Sequence, residues 1–208
     1  MSESNPTVLV VEDDPAVRGS VERLVRSVGL DVWLFASGPE FLGSERPNGP
    51  SCMVLDVRLP GQSGLDLQRE LRAADVHIPT IFITSHGDVP MAVQAMKCGA
   101  IEFLTKPYHG QDLLDAIHLG LTRDRARREN ERALRMLRTR FESLSGRERE
   151  IMVLVAQGLL SKRIAHAIGI SEPAVNFHRS NLMRKMNVRS LPELGRIADK
   201  LDLLSAKT

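Results

Sequence analysis

Five short apolar runs constrain this chain more than any other feature: Val8–Val11, Val32–Phe35, Met53–Leu55, Thr80–Thr84 and Ile101–Leu104. Each is short, apolar and rich in Val, Ile and Phe, which predicts buried strands. Between the first two, Val17, Val21, Leu24 and Val28 recur at i, i+4, i+7 and i+11, the spacing of an amphipathic helix, and Gly29 supplies its stop. Helical stretches follow at about 63–73, 90–97 and 111–121. Strands alternating with helices predict an α/β doubly wound, five-stranded parallel sheet covered on both faces. In such a sheet the ligand crevice lies beyond the carboxyl ends of the strands.

The remainder of the chain has another pattern. Arg123–Arg140 holds eight Arg, one Asp and two Glu among 18 residues, with no Gly or Pro. Leu134, Leu137 and Phe141 keep the apolar stripe of Leu113, Ile117 and Leu121. The segment therefore reads either as a long solvated helix extending the first domain or as a short coiled coil pairing two chains. From Leu144 onward only short helices are expected: Gly146–Gln157, Lys162–Ile168 capped by Ser161, Glu172–Met186 capped by Ser171, and Leu191–Leu201. Ser161–Met186 forms a helix-turn-helix within this compact all-α, four-helix unit. The expected organisation is a first domain at 1–122, a charged helical linker at 123–143 and an α-helical domain at 144–208.

Composition narrows the class. With 208 residues, 42% hydrophobic and 26% charged, the chain is neither disordered, nor collagen-like, nor a coiled coil throughout. Its longest apolar run, Ile151–Ala156, is six residues, against the ~18 that would suggest a membrane span. Met1–Thr7 offers neither a basic stretch nor an apolar core, so no secretory signal is expected. Two cysteines, Cys52 and Cys98, fit a reducing, cytoplasmic location. Charge is unevenly placed. Residues 1–122 carry 9 Lys+Arg against 16 Asp+Glu, a net −7, whereas residues 123–208 carry 19 against 10, a net +9. The basic half is a nucleic-acid candidate.

The unusual residues of the first half sit at strand ends. Glu12 and Asp13 follow the first strand, Asp56 the third; Thr84 ends the fourth, and Lys106–Pro107 follow the fifth. Three carboxylates brought together repel one another unless a cation joins them. A hard divalent ion such as Mg²⁺, or alternatively Mn²⁺, suits oxygen ligands, and it would let a carboxylate attack phosphorus. Lys106 would pair with that carboxylate or with phosphoryl oxygens, and Thr84 would donate a hydrogen bond.

These residues carry a family resemblance. V-V-E-D-D at 10–14, L-D-V-R-L-P-G at 55–61, I-T-S at 83–85 and T-K-P at 105–107 resemble the flavodoxin-like receiver domain of two-component response regulators. H-G-D-V-P-M-A-V at 86–93, K-C-G-A at 97–100 and F-L-T-K-P-Y at 103–108 resemble its FixJ-type subgroup within the FixJ/NarL regulators. The resemblance implies that Asp56 accepts phosphate from a histidine kinase. It also implies that Glu12, Asp13, Asp56 and the Arg58 carbonyl hold Mg²⁺, that Thr84 and Phe103 form a switch pair, that Lys106 pairs with the phosphate, and that Lys106–Pro107 is cis. Asp14 is left as a helix-start residue. A phosphoryl group adds about −1.5 to −2 charge, so Thr84 moving towards it would vacate space for Phe103 and make dimerisation phosphorylation-dependent. His86 and Arg58 are expected to line the crevice.

On Glu172–Met186, helical projection turns Val175, His178, Leu182 and Met186 inward, and Pro173, Asn176, Phe177, Ser180 and Arg184 outward. An outward Phe177 beside Asn176 suits a major groove, where amides read base edges and apolar groups meet thymine methyls. Lys162, Arg163, Arg179, Arg184, Lys185 and Arg189 would neutralise phosphates. L-S-G-R-E-R-E-I-M at 144–152, K-R-I-A at 162–165, G-I-S at 169–171 and V-x-x-H-x-x-N-L-M-x-K-M at 175–186 resemble the LuxR-type DNA-binding domain. The match implies that Asn176, Phe177 and Ser180 face bases, while Lys162, Arg179, Arg184 and Lys185 face the backbone. Leu160 and Pro173–Ala174 depart from the usual polar residues there.

The combined expectation is a DNA-binding transcriptional regulator rather than an enzyme. Its expected partners are a sensor histidine kinase, double-stranded promoter DNA, RNA polymerase and a second copy of itself, with no membrane, and its expected effect is activation. Two alternatives stay open. A haloacid-type phosphotransferase would turn over small phosphate esters, and an unphosphorylated regulator would bind DNA regardless of Asp56. None of the six histidines has zinc spacing.

Overall fold

The computed structural model describes residues 5–203. The reading of Met1–Thr7 and the tail of the 144–208 domain therefore lie partly outside the described residues. The chain divides into two compact units, 1–128 and 129–208.

In the first unit, strands β1 (Thr7–Val11), β2 (Asp31–Phe35), β3 (Ser51–Asp56), β4 (Thr80–Thr84) and β5 (Glu102–Thr105) form one sheet. It is parallel throughout, in the order β2-β1-β3-β4-β5. Side chains alternate between its two faces. Val8, Val10, Cys52, Val54, Ile81 and Ile83 enter one core; Leu9, Val11, Met53, Leu55 and Phe82 enter the other. The first core is covered by α1 (Pro15–Ser27) through Val21 and Val25. Leu113, Ala116, Ile117 and Leu121 of α5 (Gly110–Glu142) complete it. The second is covered by Phe41 of the five-residue α2 (Gly38–Leu42), Leu67 and Leu71 of α3 (Gly64–Ala73), and Ala95 of α4 (Val89–Lys97). β1, β3 and β4 are buried at every position and read in sequence as continuous apolar runs, whereas the edge strands β2 and β5, expected to be buried as well, are partly exposed, at Asp31 and Trp33 and at Glu102 and Thr105.

Helix α5 continues without interruption through the arginine-rich segment to Glu142. The expectation of a wholly solvated helix needs one correction. Asp124 is only 1% exposed and accepts from the Ser51 amide at 2.8 Å. It also pairs with Arg127 at 2.6 Å and Arg128 at 2.7 Å, and Arg128 reaches the Pro47 and Asn48 carbonyls. A charge with this many donors tolerates burial.

In the second unit, α6 (Gly146–Ala156), α7 (Ser161–Ile168), α8 (Glu172–Met186) and α9 (Leu191–Lys200) pack around Ile151, Met152, Ile164, Val175, Leu182, Met186 and Leu194. Ser145 and Glu148 form a capping box at the start of α6, and Ser171 caps α8. Ser161 is not the cap expected of it. The helix already includes Ser161, Leu160 occupies the cap position without a side-chain bond, and the Ser161 hydroxyl donates to Asn176 at 2.8 Å. Gly169 and Asn187 take left-handed conformations where α7 and α8 stop. Among the described residues no helix is long and apolar enough to cross a membrane.

Candidate functional site

The carboxyl ends of β1, β3, β4 and β5 bring together residues up to 94 positions apart. Carboxylate oxygens of Glu12, Asp13 and Asp56 all lie within 4.8 Å of one another. Glu12 is 1% exposed and Asp56 5%, whereas Asp13 is open to solvent. Lys106 donates to Glu12 at 2.6 Å and to Asp56 Oδ2 at 2.7 Å, so its single charge faces two buried carboxylates. Burial pushes the Glu12 carboxyl above its ordinary range; the Lys106 hydrogen bond opposes this, and the Asp56 charge reinforces it. Burial alone would lower the Lys106 ammonium, but hydrogen bonds to Asp56 and Glu12 outweigh it and hold it protonated above its usual value. An excess of carboxylate oxygen beside one open edge fits a hard divalent cation.

The other Asp56 oxygen accepts from the Arg58 amide at 2.9 Å. Arg58 forms a β-bridge with Ser63, which folds the intervening turn back towards the site. A Cβ on Gly64 would run into the Asp56 carbonyl oxygen, so this close return requires glycine. Asp14 caps α1 by accepting from the Ala16 and Val17 amides, the role expected of it. Arg18, which sequence reading passed over, donates to the carbonyls of Glu12 at 2.6 Å and Asp13 at 3.2 Å, bracing the acidic turn. The Lys106–Pro107 bond is cis.

Thr84 is fully buried, and its hydroxyl exchanges long hydrogen bonds with the His86 backbone at 3.3 and 3.4 Å. The exposed His86 and Arg58 stand at the rim. Phe103, half-buried, packs against the second core. Gly87 joins the two: a Cβ there would stand 2.8 Å from the Phe103 ring and 3.2 Å from the Thr84 methyl. Sequence reading did not single out Gly87, because nothing local signals which distant side chains crowd it.

On the second unit, Val175, Leu182 and Met186 are buried as projected, and His178 is half-buried. Pro173, Asn176, Phe177, Ser180 and Arg184 are exposed, Phe177 at 64%. Lys162 and Arg163 are exposed on α7 with no ion pair among the described residues. Five of the candidate contacts are engaged within the unit, Ser180 by donating to the Asn176 carbonyl at 3.0 Å and Arg184 by donating to Asn181 at 3.3 Å. Asn176 accepts from Ser161, Arg179 donates to Ser161, and Lys185 binds the buried Glu148 at 2.7 Å. For Glu148, burial alone would raise the carboxyl; hydrogen bonds from Lys185 and from the Ser145 amide and hydroxyl prevail and hold it below its usual range.

Residues 8–118 match the family described as response regulator receiver domain, and residues 142–206 match bacterial regulatory proteins of the luxR family. The chain is 50% identical over 201 residues to nodulation protein W of Bradyrhizobium diazoefficiens, covering 97% of this chain and 88% of that one. It is 43% identical over 198 residues to the transcriptional regulatory protein FixJ of Azorhizobium caulinodans, covering 95% and 93%. Among solved structures, the response regulator StyR superposes with a TM-score of 0.85 at 47% identity, covering 95% of this chain and all of that one.

Proposed function

This chain belongs to the two-component response regulators that carry a LuxR-type DNA-binding domain, and from that premise we propose that Asp56 is its phosphoacceptor. The family is one of transcriptional regulators; its receiver domain implies a histidine kinase partner, and its LuxR domain implies DNA. The observation that carries the reading is Asp56 itself, buried at a strand end between a cation, Lys106, and two further carboxylates.

In the transfer, an Asp56 carboxylate oxygen forms the new O–P bond as the P–N bond of a phosphohistidine breaks, and the imidazole nitrogen keeps that electron pair. Glu12, Asp13, Asp56 and the Arg58 carbonyl would hold Mg²⁺, whose charge offsets that of the clustered carboxylates and phosphoryl oxygens when bound. Lys106, already on Asp56 Oδ2, turns to a phosphoryl oxygen. Thr84 donates its hydroxyl to another, exchanging two long hydrogen bonds for a charge-assisted one. Phe103 then repacks where Thr84 and Gly87 meet it.

The repacked face includes α4 and α5, where Val93, Met96 and Leu119 are exposed apolar residues available to a second copy. The dimer presents two copies of α8 to a promoter with two half-sites. Asn176, Phe177 and Ser180 face base edges; Lys162, Arg163, Arg179, Arg184 and Lys185 face phosphates. DNA-bound dimers recruit RNA polymerase and activate transcription in the cytoplasm. The functional division runs 1–122, 123–143 and 144–208.

The test is phosphorylation of the purified full chain by acetyl phosphate with Mg²⁺, followed by Phos-tag electrophoresis and sedimentation. A shifted, dimerising band that Asp56→Ala abolishes is expected. Labelling that persists in Asp56→Ala, or promoter binding identical in the two proteins, overturns the reading.

A further inference from the structure

Asn176, on the outward face of α8, is held from behind by the neighbouring helix. Its side-chain oxygen accepts a hydrogen bond of 2.8 Å from the hydroxyl of Ser161, which opens α7 15 positions earlier. Ser161 is buried, 9% exposed, whereas Asn176 is open to solvent, so the carbonyl end of the amide is turned into the unit.

Arg179 sets the direction of this bond. A guanidinium only donates, and one of its nitrogens donates to the Ser161 oxygen. A hydroxyl that accepts from Arg179 has one proton left to give, and that proton goes to Asn176. The relay therefore runs from Arg179 through Ser161 to Asn176, and it decides which end of the amide faces inward. The Asn176 side-chain nitrogen has no hydrogen-bond partner among the described residues. Towards solvent, Asn176 thus offers N–H donors, while its acceptor is engaged inside the unit. Breaking the relay would leave the buried Ser161 hydroxyl unpaired, which is costly, so the amide orientation is set before DNA arrives.

We propose that Ser161 and Arg179 are positioning residues that make Asn176 a donor-only reader of a base with a keto oxygen in the major groove, guanine O6 or thymine O4. This rests on α8 lying in that groove with Asn176 at a base edge, the function proposed for it. An asparagine free at both ends pairs instead with adenine, accepting from N6 and donating to N7. With its oxygen held by Ser161, Asn176 meets the amino groups of adenine and cytosine donor against donor. Guanine and thymine bring it an acceptor.

The test is selection of binding sites from a randomised DNA library by the full chain, treated with acetyl phosphate and Mg²⁺, followed by competition shift assays on single-base variants. At the position whose preference Asn176→Ala flattens, guanine or thymine should exceed adenine and cytosine by about fivefold or more, within the range of a single mismatched base. Ser161→Ala, which frees the amide oxygen, should raise adenine there to at least parity while other positions keep their preferences; a merely structural serine would lower affinity uniformly. Asn176→Asp lies at an exposed position, keeps one oxygen on Ser161 and presents the other outward. It should invert the preference to adenine or cytosine, and it decides the matter should Ser161→Ala fail to fold. An adenine or cytosine preference in the unmodified chain, a keto preference unchanged in Ser161→Ala, or no inversion in Asn176→Asp overturns the proposal alone. Failure to enrich any sequence, or a profile that Asn176→Ala leaves unchanged, overturns the base contact itself and the proposal with it.

Discussion

Replacing Asp124 by alanine removes one side chain and strands three donors. The Ser51 amide, in a residue almost wholly buried, loses its acceptor, which costs about 1–3 kcal/mol. Arg127 and Arg128 lose their ion pairs, but their side chains are 34% and 31% exposed and can turn to water. Each loss is therefore nearer the ~0.2–1 kcal/mol of a surface pair than the ~3–5 kcal/mol of a buried one. Alanine's better helix propensity returns about 0.5 kcal/mol. The expected net cost is about 1–4 kcal/mol, or roughly 4–15 °C for a unit of this size. Asp124→Asn keeps an acceptor for Ser51 and should cost about half as much. The assay is built into the chain: its one tryptophan, Trp33, and its one tyrosine, Tyr108, both lie in the first unit. Urea unfolding followed by tryptophan fluorescence thus reports this unit without the other. A midpoint within 0.5 kcal/mol of the unmodified protein, or an asparagine variant as damaged as the alanine one, would refute the reasoning.

The lowered Glu148 carboxyl stabilises the second unit above about pH 4.5 and ceases to do so as pH falls through its folded value. Glu148→Gln should be less stable at neutral pH and should show a flatter acid limb in far-UV circular dichroism; an unchanged limb counts against this. Burial, aided by the Asp124 charge, pushes the Cys52 thiol well above its ordinary value, so iodoacetamide should label Cys98 and leave Cys52 intact, as peptide mass mapping can check. Phe177→Ala should leave thermal stability within about 0.5 kcal/mol, because the side chain is 64% exposed, yet weaken promoter binding in an electrophoretic shift assay. Equal affinity of the two proteins would remove Phe177 from the interface.

The sheet was legible in sequence because strands buried on both faces need apolar residues at every position, and Val8–Val11 or Thr80–Thr84 permit little else. The strand-end acids were legible for a related reason: Glu12, Asp13 and Asp56 follow apolar runs, and chain topology alone carries them to one edge. Long-range polar pairing was not. Asp124 looked like one charge among eleven because its acceptor role depends on Ser51, 73 positions away. Lys185 looked like a free phosphate contact because Glu148, 37 positions away, carries no local sign of being buried. Ser161 was read as a cap from its residue type, whereas α7 already includes it and its hydroxyl is occupied by Asn176 of the next helix.

Strand β3 begins at the amide that Asp124 holds and ends at Asp56. Its six residues are all buried, with β1 alongside from its start and β4 from Met53 onward. A strut clamped along its length cannot shorten or buckle to absorb a displacement at one end. Any axial slip of Asp56 must therefore be passed to its neighbours sideways or delivered whole to the root of the arginine-rich helix.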